Sequence, residues 1–200
     1  MCSERKSYVK KSAGIGILLT IFLLSGCMQS FQPNMDHDLE SFSYTNQNGE
    51  TVSNEDLAGT PVIANFIFTN CDTVCPPMTY NMAGVQEAIE KEGIEDYRIV
   101  SFSVDPERDD QETLKAFISR YEMNEEKWDF LTGYEFEEIS DLALESFQGL
   151  VIDDPNSDQM SHPTSFYLID AEGKVVKSYD GVSDVPEDEI VSDLKAVSSN

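Results

Sequence analysis

The apolar pattern around which the chain is organised is Val62-Ile63-Ala64-Asn65-Phe66-Ile67-Phe68, bounded by Pro61 in front and by Thr69-Asn70 behind. A short, near-continuous apolar run between turn signals reads as a strand covered on both faces. Pro76 and Pro77 then suit a first helical turn, where an amide proton has no partner in the helix. Val85, Ala88 and Ile89 continue at helical spacing, which predicts a helix over 76–91 closed by Gly93. Tyr97 to Val104 alternates and β-branches like a strand running into Asp105-Pro106. Leu114, Phe117, Ile118 and Tyr121 predict a helix through Arg120, capped by Asp109 or Asp110.

The same reading predicts a short strand over 128–131 and a helix over 136–147. Val151-Ile152 begins a strand that the polar turn 153–158 interrupts, a hairpin follows over 165–169 and 174–179, and a last helix covers 187–197. Near the start, Phe42, Tyr44 and Val52 flank Asn48-Gly49, a strong short-range hairpin signal. The order implies an α/β fold with a central mixed sheet flanked by helices and an N-terminal β-hairpin. Ligands in such sheets gather at the carboxyl ends of strands. Three places converge there: the turn after the first buried strand, Asp105, and the segment before residue 165, which contains His162.

The first residues follow a different pattern. Arg5, Lys6, Lys10 and Lys11 precede the twelve-residue apolar run Ala13–Leu24, which suits a signal peptide and falls short of the roughly 20 residues that span a bilayer. Leu24-Ser25-Gly26-Cys27 resembles the bacterial lipobox, which implies cleavage before Cys27 and lipid on its sulfur. The expected organisation is a leader over 1–26, a lipid-anchored tether over 27–38 that includes Pro33 and His37, and one domain over 39–200 at the outer face of the cytoplasmic membrane.

Of 13 basic and 38 acidic residues the leader takes four and one, leaving 9 against 37 and a formal charge of −28. That excess disfavours nucleic acid and bare anionic lipid as partners. With no apolar stripe beyond the needs of the core, a monomer is expected.

Four cysteines are present, and the export reading removes Cys2 with the leader and commits Cys27 to lipid. Cys71 and Cys75 remain, on a strand-to-helix turn where the helix terminus favours thiolate over thiol. Four residues apart on a helical turn, their Cβ atoms sit about 5–6 Å from each other, near enough for either a disulfide or a shared metal. His162 is the one histidine inside the expected domain, and two thiolates with an imidazole form a soft set suited to copper. A structural zinc site would need a fourth protein ligand. Asp105 fits a carboxylate that orients the histidine or tunes the thiols by its charge, or else a turn residue before Pro106, and Met78 fits helix packing.

Three segments in order carry a family resemblance: Phe68-Thr69-Asn70-Cys71-Asp72-Thr73-Val74-Cys75-Pro76, then Phe102-Ser103-Val104-Asp105-Pro106-Glu107-Arg108-Asp109, then His162 ahead of Ser165-Phe166-Tyr167-Leu168-Ile169-Asp170. Together they resemble the SCO/SenC family. That resemblance implies a thioredoxin-like domain binding one copper ion through Cys71, Cys75 and His162, and a metallochaperone role in building the dinuclear copper centre of cytochrome c oxidase subunit II. It places Asp105 near the site. His162-Pro163-Thr164 also resembles the thioredoxin-type loop in which a cis proline faces the reactive cysteines, so Pro163 is expected in cis. A copper donor and a thiol reductant are implied as further partners. The rival is a thiol-disulfide reductase acting on the oxidase cysteines or on other exported proteins, in which one thiolate attacks and the other resolves. A peroxide-reducing enzyme and a module with a structural disulfide fit the pattern less well.

Overall fold

A computed structural model of the chain describes residues 31–198. The leader, the lipobox and Cys27 lie outside the described residues. In chain order the strands and helices are β1 (His37–Asp38), β2 (Ser43–Asn46), β3 (Thr51–Ser53), α1 (Asn54–Leu57), β4 (Val62–Ile67), α2 (Cys75–Lys91) and β5 (Arg98–Ser103). They continue with α3 (Gln111–Ile118), β6 (Trp128–Thr132), α4 (Phe136–Phe147), β7 (Ile152–Asp153), β8 (Met160–Ser161), β9 (Ser165–Ile169), β10 (Lys174–Asp180) and α5 (Glu187–Ser198).

Eight strands form one mixed sheet in the order β1-β10-β9-β4-β5-β6-β2-β3. All six residues of β4 are buried, as its apolar run requires, and it pairs in parallel with β5 and antiparallel with β9. Its one polar residue, Asn65, accepts a hydrogen bond from Ser101 Oγ at 2.6 Å, and Ser101 Oγ accepts one from Trp128 Nε1 at 2.8 Å. The oxygen of a buried amide in a central strand is thereby partnered across β5 to β6, while Asn65 Nδ2 is left without a partner.

The antiparallel pairing of β4 and β9 brings the end of β4 beside the start of β9, with Ala64 opposite Tyr167. Residues about a hundred positions apart therefore meet at the ends of two central strands. The predicted hairpin closes through Gly49 at φ +83°, a conformation in which glycine is favoured, with Asn46 Oδ1 accepting from the amides of Asn48 and Glu50.

Two expectations change here. The tether was placed over 27–38, but from Phe31 onward the chain is docked on the domain. His37 and Asp38 pair with Val175 and Lys174, Asn34 exchanges two hydrogen bonds with Ser178, and Lys174 bonds Asp36 at 2.6 Å. The cause is an open edge of β10, whose backbone groups accept a polar partner strand that carries no apolar rhythm. Second, the polar turn 153–158 does not merely interrupt a strand. It closes a small hairpin, β7–β8, pairing Ile152 with Ser161 and Asp153 with Met160.

Candidate metal centre

The thiol turn is shaped by what the start of α2 lacks. Val74, at its N-terminal boundary, makes no side-chain cap, and Pro76 and Pro77 have no amide proton, so the Cys75 amide is one of few free donors in the first turn. It donates to Cys71 Sγ at 3.3 Å. A cysteine sulfur thus does the work usually done by a serine or aspartate oxygen at a helix start. A partial negative charge there is favoured by the helix dipole.

His162 completes the group. Its Nε2 lies 3.2 Å from Cys75 Sγ, and the ligating atoms of Cys71, Cys75 and His162 all fall within 4.8 Å of one another. Its Nδ1 lies 2.9 Å from the Pro163 carbonyl oxygen, which can only accept, so the ring proton sits on Nδ1 and Nε2 keeps its lone pair for a thiol proton or a metal. The Phe68 ring meets the imidazole edge-on at 5.7 Å between centroids and walls one side of the site.

Both thiols are reduced and buried. They differ in acidity. Cys71 is held down at about 3 by the hydrogen bond from the Cys75 thiol, with the Cys75 amide adding to it against the cost of burial. Cys75 is pushed up by that same hydrogen bond and by its deeper burial. The pair is therefore a thiolate and a thiol sharing one proton, with an imidazole nitrogen beside them.

Asp105 does not orient the histidine. Its carboxylate bonds Arg108 at 2.8 Å, and the Pro163 carbonyl supplies the orienting contact instead. The residue that reaches the thiol turn is Asp109, fully buried. Its carboxylate accepts from the Thr69 amide at 3.1 Å, from Thr69 Oγ1 at 2.5 Å and from Ser103 Oγ at 2.6 Å, joining the end of β4 to the end of β5. The pair Asp109-Asp110 offered a signal. A helix needs one cap, Asp110 provides it to the Thr113 amide, and the neighbouring aspartate is free for another task.

Met78 is buried in the core, as its helix position suggested. Pro163 is not the expected cis proline, since no peptide bond among the described residues is cis. Here the ring packs over Gly149, and the preceding histidine turns its own side chain toward the cysteines, so the loop presents an imidazole to them.

The family model described as SCO1/SenC matches residues 32–199. The chain belongs to the SCO1/SenC family. A "SCO1 protein homolog" of Bacillus subtilis is 44% identical over 182 residues, covering 91% of this chain and 94% of that protein. The solved structure of BsSco, described as a member of the Sco family of cytochrome c oxidase assembly proteins with a disulfide switch, is 46% identical and superimposes with a TM-score of 0.79 over 86% of this chain and 99% of that one. ScoI of Bradyrhizobium japonicum, solved with copper bound, is 28% identical with a TM-score of 0.65 over 79% and 98% of the two chains. The fold of this SCO1/SenC chain is thioredoxin-like, as the sequence resemblance implied.

Proposed function

We propose that this chain is a copper metallochaperone that takes one copper ion on Cys71, Cys75 and His162 and passes it to the dinuclear copper centre in subunit II of cytochrome c oxidase. Lipid on Cys27 holds it at the outer face of the cytoplasmic membrane. The observation that carries the reading is the meeting of two reduced thiols and a histidine Nε2 whose lone pair is free. The copper-bound and oxidase-assembly relatives support it. With three donors and no fourth among the described residues, the set favours copper over structural zinc.

On capture, Cys71 binds as the thiolate it already is, Cys75 gives up its proton to solvent, and His162 Nε2 donates its lone pair. On delivery, thiolates of the acceptor replace these ligands one at a time. No net oxidation is needed.

The unequal acidities of the two thiols favour a second reading, thiol-disulfide reduction. The Cys71 thiolate attacks a target disulfide and expels one target thiolate. Cys75 then resolves the mixed disulfide and its proton goes to the released sulfur, so two electrons leave the chain, which ends as a Cys71–Cys75 disulfide. A thiol reductant must restore it.

Titrating the full chain in detergent with copper, reduced and oxidised, separates the two. Metal delivery requires tight binding of one equivalent by the reduced protein that is lost on oxidation and in His162→Ala. If His162→Ala binds copper as wild type does and still supports oxidase assembly, delivery through this site is wrong.

A further inference from the structure

The β7–β8 hairpin ends one residue before His162 and lies against the thiol turn. Two strands of two residues, mostly exposed, are marginal as an independent unit. What ties them down is a set of side-chain contacts centred on Asp158. Asn70 Nδ2 donates to Asp158 Oδ2 at 3.1 Å and to the Asp158 carbonyl at 3.3 Å. Gln159 Nε2 donates back to the Asn70 carbonyl at 3.1 Å. Arg108, held by Asp105, reaches the Asp158 carbonyl at 3.4 Å. Asn70 directly precedes Cys71, and Asp158 precedes His162 by four residues, so these bonds join the two halves of the metal centre.

We infer that Asn70 and Asp158 are positioning residues for the histidine ligand: their pairing is a clasp that keeps the His162 hairpin closed on the thiol turn, and its opening sets how fast a bound copper ion leaves. The copper half of this statement rests on the function proposed above. The clasp suits a carrier because its bonds are exposed. Water or a docking protein can replace each of them at little cost, so the hairpin can open without disturbing the core. Once the hairpin lifts, the imidazole leaves with it and the copper retains two sulfurs, a state ready for ligand exchange. Arg108 and Gln159 reinforce the pairing from either side. The contact also gives Asp105 a place in the site, as the anchor of Arg108.

Exchange of the partners tests the clasp. Asn70→Asp sets carboxylate against carboxylate and should break it. Adding Asp158→Asn restores a donor and an acceptor in reversed order while keeping the new charge beside Cys71. Hydrogen exchange over residues 152–161 of the copper-free full chain in detergent reads the opening, and transfer of copper to a chelator reads the release, with His162→Ala as reference. Asn70→Asp should exchange faster in the hairpin and release copper roughly tenfold faster. The double variant should return both to within about twofold of wild type. Wild-type hairpin exchange in Asn70→Asp, or a double variant as fast as the single one, overturns the clasp. If His162→Ala releases copper at the wild-type rate, the ligand assignment is what fails, and hairpin exchange alone decides the clasp.

Discussion

Gly149 shows how closely the position of the His162 imidazole depends on packing beneath it. It follows the left-handed Gln148 at the end of α4, and its amide bonds the Ala143 carbonyl at 2.9 Å. A Cβ on Gly149 would stand 2.3 Å from Pro163 Cγ, where ordinary contact begins at 3.4 Å. Gly149→Ala therefore forces the Pro163 ring back by about 1 Å. Pro163 cannot move alone, since its carbonyl holds His162 Nδ1 and its ring adjoins that residue in the chain. The displacement should pass to Nε2 and lengthen its 3.2 Å approach to Cys75. Overpacking of this kind costs about 1–3 kcal/mol, offset by roughly 0.4–1 kcal/mol from the lost freedom of glycine in the unfolded chain. Urea unfolding should show a net loss of up to about 2.6 kcal/mol, and copper titration a weaker site with a shifted thiolate-to-copper band. Gly149→Ala with wild-type stability and an unchanged band would refute the coupling of this glycine to the histidine.

Three further outcomes follow from buried charge and from the proposed lipid anchor. Burial holds Asp109 above the ordinary carboxylate range, so the folded state binds its proton more tightly than the unfolded chain does. Its contribution to stability is then full at acid pH and falls as pH rises through the folded value, a slope that Asp109→Asn removes. That variant also leaves Thr69 and Ser103 donors short of an acceptor, at about 1–3 kcal/mol, measurable as urea midpoints at acid and neutral pH. Lys177 bonds Asp193 at 2.5 Å and Glu189 at 2.8 Å and lies over the Phe31 ring at 5.6 Å. Lys177→Met leaves the Asp193 carboxylate without its cation and with only the Tyr179 hydroxyl donating to it, at about 3–5 kcal/mol, and adding Asp193→Leu should recover part of the lost thermal stability. Cys27→Ser should move the protein from the membrane to the soluble fraction, and continued retention would mean an uncleaved helix.

The elements of the core were legible because burial imposes a rhythm. The helix expected over 136–147 runs over those residues, since Ile139, Leu142, Ala143 and Phe147 mark its inner face without ambiguity. The three residues of the proposed metal site were legible as residue types, and the expectation that strand ends gather them holds because β9 runs antiparallel to β4. Polar structure was less so. β1 pairs through backbone groups that any residue offers, and β7–β8 is too short to show a period. Asp105 and Asp109 stand four positions apart in one turn, closed by the Asp109 amide on the Asp105 carbonyl at 2.9 Å, and only the doubled aspartate at 109–110 marks Asp109 as the carboxylate that reaches the thiol turn. Asn70 and Asp158 meet only through the tertiary fold.

X-ray absorption at the copper edge of the reduced full chain, loaded with one equivalent, tests the central claim most directly. Two sulfur ligands and one imidazole nitrogen are predicted, with the nitrogen lost in His162→Ala and the sulfurs retained. A wild-type shell without imidazole, or one that His162→Ala leaves unchanged, would contradict the account.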